Sequence, residues 1–344
     1  MPALDHIGLD IGTHSIKAVQ LSGSFNGPVF VAAGQIQAPQ ISGDPNSNES
    51  IDKIADAIKK LRSEVRITKD KANTALPESQ IFTRVVEMPL LSQKEMQNAI
   101  VWEAEQYVPV PMTEVKLDWQ VLGEANPQGR VEVLLVAAPI ALVNRYLAIL
   151  KKADLVPMGL ETEITSVARA LVQRVSGAPT TMVVSIGAST TDLSIIRSGK
   201  ISLTRSIATG GIALARGVAQ ELGFELDQAT EYMKTYGLDP NSLEGKVMQA
   251  IKPIFDVIVN EIRRVLAYYL SKHPDAPVKR IIVTGGTAKL PGLVIYLAEA
   301  LGLEVQVGNP WEGISLPSNF SQKLNEEATS YAVAVGLALK QAGG

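Results

Sequence analysis

Two short glycine turns carry the residues best suited to chemistry. The first lies in Leu9-Asp10-Ile11-Gly12-Thr13-His14-Ser15-Ile16-Lys17. A glycine among small neighbours lets backbone N–H groups approach a phosphate without a Cβ in the way. Thr13 and Ser15 add hydroxyl donors, and Lys17 can neutralise phosphate charge. Asp10 would repel a phosphate directly, but it can hold Mg²⁺ through water, which suits a metal that keeps its hydration shell. Alone, this pattern fits a plain hairpin equally well. It returns, however, as Val184-Ser185-Ile186-Gly187-Ala188, followed by Ser189, Thr190 and Thr191. Two facing phosphate turns make a clamp, and a repeated supersecondary unit points to a duplicated fold. A third element runs from Ile281 to Gly292 through Gly285, Gly286 and Thr287. A buried strand leading into a glycine pair lets an adenine and ribose lie on bare backbone. Glycine pairs after strands are also ordinary turns.

The elements that position these residues follow from periodicity. Ile7 to Ile11 and Ile16 to Leu21 read as a hairpin, with a further strand over Val29 to Gln37. Gln40 to Asn48 is a loop, and Glu49 to Val65 has helical spacing. A separate small unit follows, from about Ala75 to Pro157. It reads as a strand (Ile81 to Met88), a helix from the capping box at Ser92 and Glu95 to about Tyr107, strands over Val115 to Leu122 and Val131 to Ala138, and a helix over Ala141 to Ala153. The second hairpin comprises Thr181 to Ser185 and Thr191 to Arg197. A mainly helical region spans Gly210 to Tyr269, Lys279 to Thr284 is a buried strand, and Ala328 to Lys340 forms a closing helix.

Composition narrows the class. The 344 residues are 46% hydrophobic and 19% charged, enough for two globular domains. A net charge of -3 lacks the basic surplus of a nucleic-acid binder. There are no cysteines and three scattered histidines, which excludes disulfides and argues against zinc. The opening MPALDHIGLDIG has no signal-peptide pattern, and no apolar run is long enough to span a bilayer. A soluble, cytoplasmic protein is expected, reaching a membrane only through partners.

The three elements in this order resemble the phosphate-1, phosphate-2 and adenosine motifs of the actin, heat-shock ATPase and sugar-kinase superfamily. Glu161-Thr162-Glu163 to Leu171 is similar to its first connecting helix, and Tyr331 to Ala338 to its second. The inserted unit sits where the FtsA and PilM families carry their subdomain 1C. Ala99-Ile100-Val101-Trp102-Glu103-Ala104-Glu105-Gln106-Tyr107-Val108-Pro109 and Asn309-Pro310-Trp311 are similar to PilM. FtsA proteins carry a linker and a membrane helix after the second connecting helix. This sequence stops at Gly344, and no such anchor is expected.

The resemblance implies an α/β, actin-like, ribonuclease H-like duplicated two-domain fold. Its expected divisions are subdomain 1A over 1–76, an inserted subdomain 1C over 77–157, a connecting helix over 158–179, subdomain 2A over 180–208 and 279–327, subdomain 2B over 209–278, and a returning helix over 328–344. It implies ATP with Mg²⁺, contacted by Asp10, Gly12, Thr13, Ser15 and Lys17, by Gly187, Ala188, Ser189, Thr190 and Thr191, by Gly210 and Gly211, and by Gly285, Gly286 and Thr287. Glu163 takes the position that aligns an attacking water. Glu231 and Lys234 match a pair lining ribose and adenine, although by spacing alone they read as a helical ion pair. Ser185 departs from the family, which places Asp there. Asp192 reads equally as an exposed strand residue or a metal-site group. Slow or absent hydrolysis is therefore expected.

The implied partner is the cytoplasmic tail of a PilN-like bitopic membrane protein, held in a groove between 1A and 1C. Val85, Met88 and Ile100 are candidates to line that groove or simply to fill the core. Pilus motor ATPases are further candidate partners, and self-association stays open. The alternatives are a filament protein like FtsA or the plasmid-segregation actins, a type II secretion adaptor, and a small-molecule kinase of the superfamily.

Overall fold

The computed structural model describes residues 3–172, 177–318 and 320–341. Positions 1–2, 173–176, 319 and 342–344, at the ends of or within four of the expected divisions, lie outside them.

The opening hairpin forms as the alternation predicts. β1 (Ile7–Ile11) and β2 (Ser15–Ser24) pair antiparallel, with Asp10 opposite Lys17, and β3 (Gly27–Gln37) adds alongside β2. α1 (Asn48–Glu64) is capped by Ser47, whose hydroxyl accepts from the Ser50 N–H at 3.2 Å. Its apolar face of Ile51, Ala55, Ile58 and Leu61 covers one side of the hairpin. β4 (Lys71–Leu76) follows, parallel to β1.

The inserted unit then begins. β5 (Phe82–Pro89), α2 (Gln93–Glu105), β6 (Val115–Val121) and β7 (Arg130–Pro139) build a three-stranded sheet in the order β5-β7-β6, covered by α2. The Ser92–Glu95 capping box forms in both directions, at 3.4 and 2.9 Å. Val86, Met88, Met96, Ile100 and Val133 make this unit's own core. α3 (Ile140–Lys152), expected to close the unit, touches β6 and β7 and also packs on α1, with Ile149 and Leu150 in the core of the first half. β8 (Val156–Thr162) completes a five-stranded sheet in the order β3-β2-β1-β4-β8.

α4 (Glu163–Leu171) leads to the second half, which repeats the first. β9 (Thr181–Ile186), β10 (Thr191–Arg197) and β11 (Lys200–Ile207) form its meander. α5 (Gly211–Leu222), α6 (Leu226–Tyr236) and α7 (Lys246–Lys272) supply the expected helical region. β12 (Arg280–Thr284), α8 (Leu293–Leu301) and β13 (Glu304–Val307) finish a sheet of order β11-β10-β9-β12-β13, the counterpart of the first. Its core gathers Val184, Ile186, Phe255, Ile262 and Leu297.

α9 (Gln322–Glu326) and α10 (Ala332–Ala338) return the chain to the first half. α10 lies on β1 and β2, opposite α1, burying Leu4, Val19 and Leu21 against Tyr331, Ala334, Val335 and Leu339. Contact there is close enough to require glycine. A Cβ on Gly8 would stand 2.0 Å from the Ala334 carbonyl oxygen, and one on Gly336 would stand 1.9 Å from that of Ser166.

Candidate nucleotide-binding site

The two glycine turns meet across the junction of the halves. The Gly12 N–H donates to the Ser15 carbonyl at 3.1 Å, and the Gly187 N–H donates to the Thr190 carbonyl at 2.8 Å, so both turns close in the same way. The Thr13 and Ser189 hydroxyls lie 3.3 Å apart, joining one turn to the other. Lys17 donates to the Ser15 hydroxyl at 2.6 Å and stands 4.0 Å from Asp10.

The other predicted elements brace the second turn. The N–H groups of Gly211 and Ile212 donate to the carbonyls of Gly187 and Ala188, both at 2.9 Å. A Cβ on Gly210 would meet the Ala188 carbonyl at 2.7 Å, so the start of α5 can approach only as glycine. The Thr287 hydroxyl donates to the Gly187 carbonyl at 3.3 Å. Gly285 has φ +92°, outside the comfortable range of other residues, while Gly286 faces open space.

The carboxylates concentrate behind the turns. Glu163, the first residue of α4, accepts from the backbone N–H of Glu78 at 3.4 Å. Burial first, then the charges of Asp192 and Asp10, push its carboxyl well above the usual range. Asp10 is also pushed up by burial, against the opposing pull of Lys17. Asp192 is buried and pushed up as well, although Ser206 and Thr190 hold it. Its reading as an exposed strand residue is thereby corrected. In the ladder, Asp192 lies directly opposite Ser185, as Lys17 lies opposite Asp10. A buried carboxylate on the neighbouring strand therefore stands across from Ser185.

Sequence reasoning missed two members of this site. Glu78 sits on a single helical turn between β4 and β5, with burial pushing its carboxyl up to about 8. Tyr146 of α3 is buried close enough to Glu163 and Asp10 for their charges to raise its hydroxyl further, after burial itself. Neither has a spacing signal, because each belongs to an element that meets the site only after folding. Among the described residues no three potential metal ligands stand close enough to hold an ion directly.

Other expected residues are placed differently. The Thr191 hydroxyl is committed to the Thr209 carbonyl at 2.8 Å. Glu231 and Lys234 bond to each other at 2.9 Å on the exposed face of α6, as their spacing alone suggests. Met88 and Ile100 lie in the core of the insert, whereas Val85 borders a groove described below.

A family model for type IV pilus assembly protein PilM matches residues 8–342. The chain belongs to the PilM family. A chain of the solved PilM–PilN type IV pilus biogenesis complex is similar to this PilM-family protein over 98% of its length and 99% of that chain, with 29% identity and a TM-score of 0.85. Cell division protein FtsA of Neisseria meningitidis serogroup B is 28% identical over 157 residues. That match spans 38% of this chain and 36% of the relative. MreB 5 of Spiroplasma citri, solved with AMPPNP, covers 96% of this chain and 94% of its own at 14% identity and a TM-score of 0.52. The likeness shows the shared actin-like fold.

Proposed function

We propose that this protein is an ATP-binding cytosolic adaptor of the type IV pilus inner-membrane platform, holding the cytoplasmic tail of a PilN-like bitopic membrane protein. The observation that carries this reading is the extent of the likeness: the PilM–PilN complex matches across both halves and the insert, at a TM-score of 0.85. Among the described residues no helix is long and apolar enough to cross a membrane. Attachment to the inner membrane then runs through the partner.

The clamp supports ATP as the ligand. The Thr13 and Ser189 hydroxyls and Lys17 suit the phosphates, and the open backbone at Gly286 suits the nucleoside. A phosphate seated between the turns replaces the Thr13–Ser189 contact and so draws the two halves onto one ligand. The donor set also fits Mg²⁺. Asp10, Glu163 and Asp192 stand close together with Lys17 beside Asp10, and a hydrated divalent cation would relieve their crowding. Asp10 would hold it through water, and the cation would neutralise phosphate charge.

Hydrolysis is slow in this reading. Burial and the charges of Asp192 and Asp10 favour the protonated form of Glu163, which weakens it as an acceptor for a proton from water. Titration calorimetry with ATP and Mg²⁺, ADP and a synthetic PilN-like tail peptide tests the proposal. Saturable binding of nucleotide and of tail is expected. A tail that fails to bind in every nucleotide state overturns the adaptor role, and rapid phosphate release overturns the slow site.

A further inference from the structure

The insert enters from β4 and returns through α3 to β8, so by its chain path it belongs to the first half. It also rests on the second half. Leu122 and Leu134 of the insert share one apolar cluster with Ile196 and Ile201 of the second half and with Ile164 and Val167 of α4. Beside this cluster a groove of about 1190 Å³, with Val85 on its wall, lies between the insert and β11 and α7. The contact therefore has open space next to it.

Two polar ties cross the contact. Arg197 donates to the Glu132 carboxylate at 2.8 Å, and the Thr204 hydroxyl donates to the Thr83 carbonyl at 3.3 Å. The His273 ring stands 3.7 Å from the other Glu132 oxygen. Burial, then the charge of Arg197, push that ring below its ordinary value, so Arg197 supplies the positive charge. Glu132 is thus the insert side chain that pairs with a cation of the second half.

Both ties lead back to the nucleotide site. β10 runs from Thr191 and Asp192, beside the second phosphate turn, to Arg197. β11 carries Thr204 and then Ser206, which lies opposite Asp192 in the ladder. On the other side, β5 follows Glu78, whose N–H donates to the Glu163 carboxylate. The Thr13 and Ser189 hydroxyls touch at 3.3 Å. A phosphate oxygen that accepts from both at ordinary distances holds them roughly 4–5 Å apart. Nucleotide entry therefore parts the two turns.

We propose that the Glu132–Arg197 pair latches the insert onto the second half, and that nucleotide entry releases it. β10 and β11 move with the Gly187 turn, whereas Glu132 and Thr83 stay with the first half. Neither the 2.8 Å ion pair nor the 3.3 Å hydrogen bond tolerates such a shift. The inference rests on the nucleotide reading of the site and adds its mechanical output: nucleotide occupancy sets how freely the insert moves.

The test uses the full chain. It has no cysteine, so Gln106→Cys on the insert and Tyr268→Cys on α7, both exposed, give one pair of spin-label sites across the groove. Pulsed electron paramagnetic resonance reads the distance between them. Without nucleotide the labelled parent should show one narrow distance. Glu132→Gln and Arg197→Gln should each add a longer one, with the closed-to-open ratio falling roughly fivefold. The double variant should match either single one, because both remove the same pair. ATP with Mg²⁺ should bring out the longer distance in the parent. Single variants that keep the narrow distance, or effects that add in the double variant, overturn the latch. A parent that binds ATP in calorimetry while its distance stays fixed overturns the release. A parent that binds no ATP overturns the nucleotide reading and the release with it, while the variants still decide the latch.

Discussion

Replacing Glu78 with glutamine should flatten the dependence of stability on pH. Its carboxyl is pushed up to about 8, chiefly by burial and further by the charge of Asp192, from an ordinary value of 4.5. The native state therefore keeps a proton that the unfolded chain gives up. Between those two values folding is coupled to proton uptake, and stability falls as pH rises. One such group contributes a slope of about 1.4 kcal/mol per pH unit. From pH 5.5 to 7.5 that amounts to roughly 2.7 kcal/mol. Glu163 and Asp192 shift in the same direction and steepen the parent's profile. Glutamine keeps the neutral shape but cannot ionise, so this share of the slope disappears. Urea unfolding at pH 5.5, 6.5 and 7.5 measures it. The variant should gain on the parent by about 2–3 kcal/mol across that range. Parallel profiles would refute the assignment of a neutral, buried Glu78.

Other outcomes follow from the close contacts. Gly336→Ala places a Cβ 1.9 Å from the Ser166 carbonyl oxygen and must force α4 and α10 apart, at a cost of about 1–3 kcal/mol or more, read as a lower melting temperature. Arg169→Met leaves the buried Glu161 with Lys340 at 3.1 Å as its remaining cation and should cost about 3 kcal/mol in urea unfolding. Thr13→Val removes an exposed hydroxyl donor, so calorimetry should show ATP binding weakened about tenfold, with the melting temperature unchanged.

The sequence announces some of this structure and conceals the rest, for physical reasons. Both hairpins, α1 and α2 are legible because their apolar spacing matches the period of the element they form. β4 is not, since Lys71, Asn73 and Thr74 interrupt its apolar run. Thr74 is tolerated in the core because its hydroxyl donates to the Leu9 carbonyl at 2.7 Å. The phosphate turns are visible because a turn needs particular residues in sequence. The carboxylate group is not, because Asp10, Glu78, Glu163 and Asp192 arrive on four separate elements. Asp192 shows the limit well: only the strand register reveals that it stands across from Ser185.

The placement of α10 also sets an order of events during synthesis. The surface of β1 and β2 that it covers is made well before α10, which lies more than three hundred positions later in the chain. Until that helix leaves the ribosome, Val19 and Leu21 have no apolar cover. The first half therefore waits, half-finished, while the second half can assemble around its own core. A message cut short before Ala332 would yield a chain with an intact second half and an open, aggregation-prone first sheet. Quality control has a clear mark to read in such a chain.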